Sequence, residues 1–146
     1  WLSENWPPNL PQCAVHTDLF PDNVLIRGDQ VGGLIDFYFA CTDFRAYDLA
    51  VTHAAWSFTA DGQNYLADIG RALLDGYCEV VQLTGDEKQA FPALARGASL
   101  RFLLTRLYDW INTPADAMVT RKDPLAFYHR LKFYSNANSS ALFGSA

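Results

Sequence analysis

His16-Thr17-Asp18-Leu19-Phe20-Pro21-Asp22-Asn23 sets an imidazole, a carboxylate and an amide at short fixed intervals, and a second carboxylate follows in Leu34-Ile35-Asp36-Phe37. A carboxylate, an amide five residues later and a further carboxylate beyond a short hairpin suit the transfer of a phosphoryl group to a hydroxyl. That reaction passes through a loose transition state, so the polypeptide has chiefly to place a base beside the acceptor hydroxyl and to hold Mg²⁺ against the phosphates of the donor, ATP. In this assignment Asp18 takes the hydroxyl proton, while Asn23 and Asp36 offer Mg²⁺ an amide and a carboxylate oxygen.

The segment has the frame H-R-D-x-x-x-x-N of the protein-kinase catalytic loop, with Thr17 in place of the arginine. Asp36-Phe37-Tyr38 stands where a protein kinase has Asp-Phe-Gly. Without the arginine that a phosphorylated activation loop would pair with, a small-molecule kinase fits better than a phosphorylation-switched one. Two rivals come from other classes. In a Mg-dependent phosphohydrolase His16, Asp18 and Asp36 would ligate metal directly, although His53 and His129 lie apart in helical stretches and make no cluster with His16. A catalytically silent binding module would keep the fold without the reaction.

The elements that must position these groups can be read around them. Trp6-Pro7-Pro8-Asn9-Leu10-Pro11 is rich in breakers and reads as a linker onto a short strand at Cys13-Ala14-Val15. Val24-Leu25-Ile26 and Val31 to Ile35 flank Arg27-Gly28-Asp29-Gln30 as a β-hairpin, which would deliver Asn23 and Asp36 to one end of two paired strands. Residues 37–47 read as aromatic and irregular. Helices are expected at about 47–58 and 64–82, and Asp61-Gly62 closes the first of them. A further helical stretch at about 86–112 is expected in two pieces broken near Pro92, with Leu100, Leu103, Leu104 and Leu107 as a largely buried stripe. Thr113-Pro114 stops it, and Asp123-Pro124 opens a last helix to about Tyr134, after which 135–146 is polar enough to fray. The fold class is therefore α+β and mostly helical, a hairpin followed by a run of helices.

Other polar residues admit two readings each. Asp22 reads as a solvated charge, and Asp43 and Arg45 as loop surface or substrate contacts. Asp48 in Tyr47-Asp48-Leu49-Ala50 reads as a helix N-cap. Arg101, Arg106 and Asp109 share a mostly buried helix, which implies either internal ion pairs or recognition of a substrate carboxylate by a guanidinium fork. Trp56, Phe58, Tyr108 and Trp110 read mostly as core.

With 146 residues, half of them apolar and 18% charged, the chain is one domain with a real hydrophobic core rather than a disordered segment. No apolar run reaches the roughly 20 residues that span a bilayer, so no membrane association is expected. A net charge of −5 offers no basic surface for a phosphate backbone, which argues against nucleic acid as a partner. Cys13, Cys41 and Cys78 are odd in number and show no C-x-x-C spacing, so they suggest neither zinc nor a disulfide framework but a reducing, cytoplasmic setting. Cys13 and Cys41 read as small buried hydrophobes. The sequence is silent on oligomeric state.

The stretch HTDLFPDNVLIRGDQVGGLIDFYFACTDFRAYDLAV resembles the catalytic core of the aminoglycoside/choline kinase-like superfamily, and its wording is similar to that of the bacterial homoserine kinases within it. The likeness extends through Ala95 to Phe102, Thr105 to Trp110 and Lys122-Asp123-Pro124-Leu125. It implies the C-terminal lobe of a protein-kinase-like fold, with ATP and Mg²⁺ as cofactors. It also implies phosphorylation of L-homoserine to O-phospho-L-homoserine in threonine biosynthesis; aminoglycosides, choline and methylthioribose are the acceptors of sister groups. His16 and Asp48 would brace the loop from behind. The resemblance further implies an N-terminal lobe covering ATP. No Gly-rich phosphate loop or Val-Ala-Ile-Lys-like strand precedes His16, so this chain alone would be a poor catalyst.

Overall fold

The structure, a computed structural model, describes residues 1–114, 118 and 121–144. A single helical turn, α1 (Leu2–Asn5), and the Pro-rich linker lead into β1 (Gln12–Val15), which ends at the motif. The expected hairpin is present as β2 (Val24–Arg27) and β3 (Gln30–Leu34). Gly28 supplies its turn in the left-handed region at φ 62°, where glycine carries no Cβ penalty. Val24 pairs with Leu34, and the Ile35 N–H donates to the Asn23 carbonyl at 3.0 Å, so Asn23 and Asp36 emerge together as the pattern predicts.

A strand that the sequence did not suggest closes the region. β4 (Cys41–Phe44) pairs antiparallel with β1, Val15 opposite Cys41, and clamps the loop of residues 16–40 at its base. Four residues with two polar side chains carry little periodic signal; the partner strand makes the strand. Cys13 and Cys41 sit exposed on this two-stranded ribbon instead of buried.

The helices α2 (Arg45–Trp56), α3 (Ala67–Val80), α4 (Gly85–Asn112), α5 (Leu125–Asn136) and α6 (Ser139–Phe143) complete a mostly helical α+β fold. α4 packs against both α2 and α5 and is the central element. Its first turn is fixed by a capping box in which Thr84 accepts from the Glu87 N–H and Glu87 accepts from the Thr84 N–H. Contrary to expectation, α4 runs unbroken through Pro92. A proline in a helix interior costs about 3 kcal/mol, and here fully buried Phe91, Leu94, Ala95 and Ala98 anchor the helix on both sides of it.

The buried face of α4 is that set together with Ser99 and Phe102, not the leucine stripe. Leu100 and Leu103 are half-buried, and Leu104 is 54% exposed, because the last turns of α4 run past the core. Leu107, Tyr108 and Trp110 are exposed for the same reason, whereas Phe58 is buried and Trp56 half-buried. The C-terminal segment does not fray throughout: α6 docks with Leu142 only 2% exposed, while residues 145–146 lie outside the described part.

Most polar groups inside this core are satisfied internally, the buried hydroxyls of Ser57 and Ser99 being without a partner among the described residues. His53 Nδ1 and the Tyr134 hydroxyl are 2.6 Å apart, and Glu87, fully buried, takes two hydrogen bonds from Arg45 at 2.7 and 2.8 Å. Arg45 thus serves the core and not the loop surface. Among the described residues no helix is long and apolar enough to cross a membrane.

Candidate active site

Thr17 and Asp36 are, among the described residues, the two non-glycine positions with left-handed backbone, at φ 60° and 63°. Such a conformation is rare for a β-branched residue and is kept only where the surroundings over-determine it. Around Thr17 they do. Its N–H donates to Asp48 Oδ1 at 2.5 Å, its hydroxyl donates to the Phe39 carbonyl at 3.0 Å, and its own carbonyl accepts from Arg101 Nη1 at 2.8 Å. Arg101 lies over the rings of Phe39 and Phe102 as it makes this contact. A guanidinium from α4 therefore serves the loop in which Thr17 replaces an arginine.

Asp48 also accepts from the His16 N–H at 3.2 Å. The N-cap of α2 is Phe44, so Asp48 is a partner of the motif and not a helix cap. His16 completes the frame. Its Nε2 lies 2.9 Å from the Ile35 carbonyl, and its Nδ1 accepts from the Asp18 N–H at 3.2 Å, which requires the neutral tautomer with the proton on Nε2. One ring thereby ties the backbone of Asp18 to the residue preceding Asp36. Both ring nitrogens being spent on backbone, His16 has none to offer a metal, against the hydrolase reading. Trp56 Nε1 donates to the Leu19 carbonyl at 2.9 Å and pins the loop to the end of α2, a contact without a sequence signal.

Asp18, half-buried, faces a cleft of about 350 Å³ lined also by Asn23, Asp36, Arg106, Asp109 and Lys122. Burial raises the Asp18 pKa above the usual carboxylate range; the Arg101 guanidinium opposes this and the Asp36 charge reinforces it. Asn23 Nδ2 donates to the Asp18 carbonyl at 2.8 Å, which turns the Asn23 amide oxygen away as a free acceptor. Asp36 is exposed at the start of a short 3-10 turn (Phe37–Phe39) and makes no cap bond there, so its carboxylate is open. Among the described residues no three His, Cys, Asp or Glu side chains form a metal cage. An amide oxygen and an open carboxylate are hard donors that suit Mg²⁺, which is ordinarily held by one or two carboxylates plus phosphate oxygens.

The structure thus brings Asp18, Asn23, Asp36 and Arg106 to one cleft, and puts His16, Asp48 and Arg101 behind the loop. The α4 wall of the cleft is the stripe Phe102, Thr105, Arg106 and Asp109, at i, i+3, i+4 and i+7. Of these, Arg106 and Asp109 stand out in the sequence, together with Arg101, which the structure places behind the loop instead. Lys122 carries no such signal: it pairs with Asp22 at 2.9 Å across 100 residues, so Asp22 is exposed but not merely solvated.

The profile of the phosphotransferase enzyme family matches residues 1–83, more than half of the chain. A homoserine kinase of Zymomonas mobilis is 53% identical over 142 residues, covering 97% of this chain and 44% of that protein. Those of Sinorhizobium fredii and Rhizobium etli are 54% and 52% identical over 144 residues, covering 99% of this chain and 44% of each. The chain therefore spans less than half the length of these relatives. Matched by the profile across its motif and cleft loop alike, the chain belongs to the phosphotransferase enzyme family.

Proposed function

We propose that the protein of which this chain forms part transfers the γ-phosphoryl group of ATP to the side-chain hydroxyl of L-homoserine, giving O-phospho-L-homoserine for threonine biosynthesis. The observation that carries the reading is the convergence of Asp18, Asn23 and Asp36 on one cleft, on a loop whose backbone is held from three sides. Asp18 orients the acceptor hydroxyl and takes its proton, and burial shifts its pKa in the direction that makes it the stronger base. Asn23 and Asp36 would hold Mg²⁺, which when bound neutralises charge on the donor phosphates. His16, Asp48 and Arg101 keep Asp18 and Asp36 in register. The acceptor is drawn from the relatives, which are homoserine kinases.

In this reading the chain is the lobe that carries acceptor and metal groups, and ATP is covered by a further lobe. Leu25, Ile26, Val31, Ile35 and Phe37 support this: they leave an exposed apolar surface on the hairpin beside Asp36. Exposed free Cys13 and Cys41 fit a reducing cytoplasm. An ATP-consumption assay on the full-length protein, with homoserine, choline, kanamycin, methylthioribose or no acceptor, tests the proposal. Turnover confined to homoserine is expected. Turnover on another alcohol would discard the acceptor, and turnover without acceptor would favour a hydrolase.

A further inference from the structure

The cleft is lined by four carboxylates, Asp18, Asp22, Asp36 and Asp109, and by two cations, Arg106 and Lys122. Asp18 and Asp36 are committed to the hydroxyl and to Mg²⁺. Asp22 and Lys122 neutralise each other in a 2.9 Å ion pair. One cation and one anion remain, Arg106 and Asp109, three residues apart on α4. Side chains so spaced are neighbours on a helix surface, with Cβ atoms about 5–6 Å apart. Even so, the ion pairs among the described residues are Arg45–Glu87 and Lys122–Asp22, and Arg106 and Asp109 do not join.

Arg106 also differs from its neighbours in what its donors meet. Arg101 gives a hydrogen bond to Thr17, whereas Arg106 has no hydrogen-bond partner among the described residues. Its guanidinium carbon lies 4.5 Å from the centre of the Phe127 ring and 5.8 Å from that of Phe20. The guanidinium rests against these rings while lining the cleft, so its N–H donors are available to a ligand there. Burial depresses the Arg106 pKa, with Asp22, Asp123 and Asp18 opposing, as expected of a guanidinium short of hydration and of a directly bonded anion.

We propose that Arg106 and Asp109 form a zwitterion subsite: Arg106 binds the α-carboxylate of an amino-acid acceptor and Asp109 its α-ammonium group, with the side-chain hydroxyl directed to Asp18. The inference rests on the kinase reading of Asp18, Asn23 and Asp36 and names the feature by which that cleft selects its substrate. An amino alcohol lacking the carboxylate leaves Arg106 unpaired, which is how a polar site rejects such analogues. Arg101, by contrast, is assigned to the loop and not to substrate.

The test uses the full-length protein with Mg-ATP and three compounds: L-homoserine, 3-aminopropan-1-ol, which lacks the carboxylate, and 4-hydroxybutanoate, which lacks the ammonium. KM is measured for homoserine and competitive inhibition constants for the other two. Arg106→Met is expected to raise the constants for homoserine and 4-hydroxybutanoate by about 10- to 100-fold, the worth of a charge-assisted contact, and to spare 3-aminopropan-1-ol. Asp109→Asn is expected to weaken homoserine and 3-aminopropan-1-ol and to spare 4-hydroxybutanoate. The KM for ATP reports that each variant folds; should Arg106→Met fail that check, Arg106→Lys keeps the stem and the charge without the fork, and Asp109 is an exposed position. An unchanged homoserine KM in both variants, or equal losses for all three compounds, overturns the subsite while leaving the kinase reading standing. Wild-type turnover of other alcohols but not homoserine overturns the acceptor and the subsite together, and absence of any phosphoryl transfer overturns the kinase reading itself.

Discussion

Arg106 and Arg130 lie against the same ring, Phe127, with guanidinium carbons 4.5 and 4.7 Å from its centre; Arg106 lines the cleft with Asp18, and Arg130 belongs to the core. Arg130 is 5% exposed and donates to the carbonyls of Ala54, Ala126 and Thr59 at 2.8, 2.6 and 3.2 Å. Burial, aided by the Arg106 charge, lowers its pKa to about 10. It stitches α5 to the end of α2, with each of its three nitrogens donating to a backbone carbonyl. Arg106 has the same chemistry and the same aromatic support, yet meets no protein acceptor among the described residues. On the core side polar groups complete the fold; on the cleft side they are kept for something that is not the fold.

This division can be broken from either side. The largest effect is expected on the cleft side: Asp18→Asn in the full-length protein should lower kcat by about 10⁴-fold, the upper range for a general base, with the KM for ATP and the urea midpoint nearly unchanged. Comparable kcat values for variant and wild type would remove Asp18 from the reaction. On the core side Arg130→Met removes three charge-assisted hydrogen bonds and should cost about 3–5 kcal/mol in urea unfolding; a loss below 1 kcal/mol would mean that these bonds do not hold α5. Between the two lies Arg101→Met, which frees the Thr17 carbonyl and lets the loop shift, so kcat is expected to fall by up to about 10²-fold while circular dichroism stays helical.

The smallest effect concerns His53, whose burial lowers its pKa to about 4 from 6.5. Between these values the unfolded chain binds a proton that the folded one does not, so stability is full above pH 6.5 and falls as the pH drops toward 4. At pH 5 the loss is about 2 kcal/mol relative to pH 7. Urea midpoints measured across this range should flatten in His53→Asn, and an unaltered slope would place the acid sensitivity elsewhere.

Much of the motif was legible because it is local. Asp18, Asn23 and Asp36 depend on loop spacing and on a hairpin that announces itself through Gly28 and its apolar flanks. The α4 wall was half legible: Arg106 and Asp109 declare a face, but only packing decides that the face ends at Phe102 and that Leu104, Leu107 and Tyr108 lie beyond the core. Pro92 misled, since a local rule about helix interiors was outweighed by the buried side chains around it. β4, the Trp56 bond to Leu19 and the Lys122 pair with Asp22 are long-range pairings of residues that carry no signal alone. Arg101 suggests a substrate contact because its type and helix are visible in the sequence, whereas its partner 84 residues earlier is not.

That separation sets an order of events. Asp18 leaves the ribosome before α4 does, and the carbonyl next to it is secured only by a side chain 84 residues further along. At about 5–20 residues per second of synthesis, the loop waits roughly 4–17 seconds for its arginine. During that interval the motif exists as sequence without the backbone twist that aims it, and a chain ending before α4 would carry every residue of the motif but lack the hydrogen bond that completes its geometry.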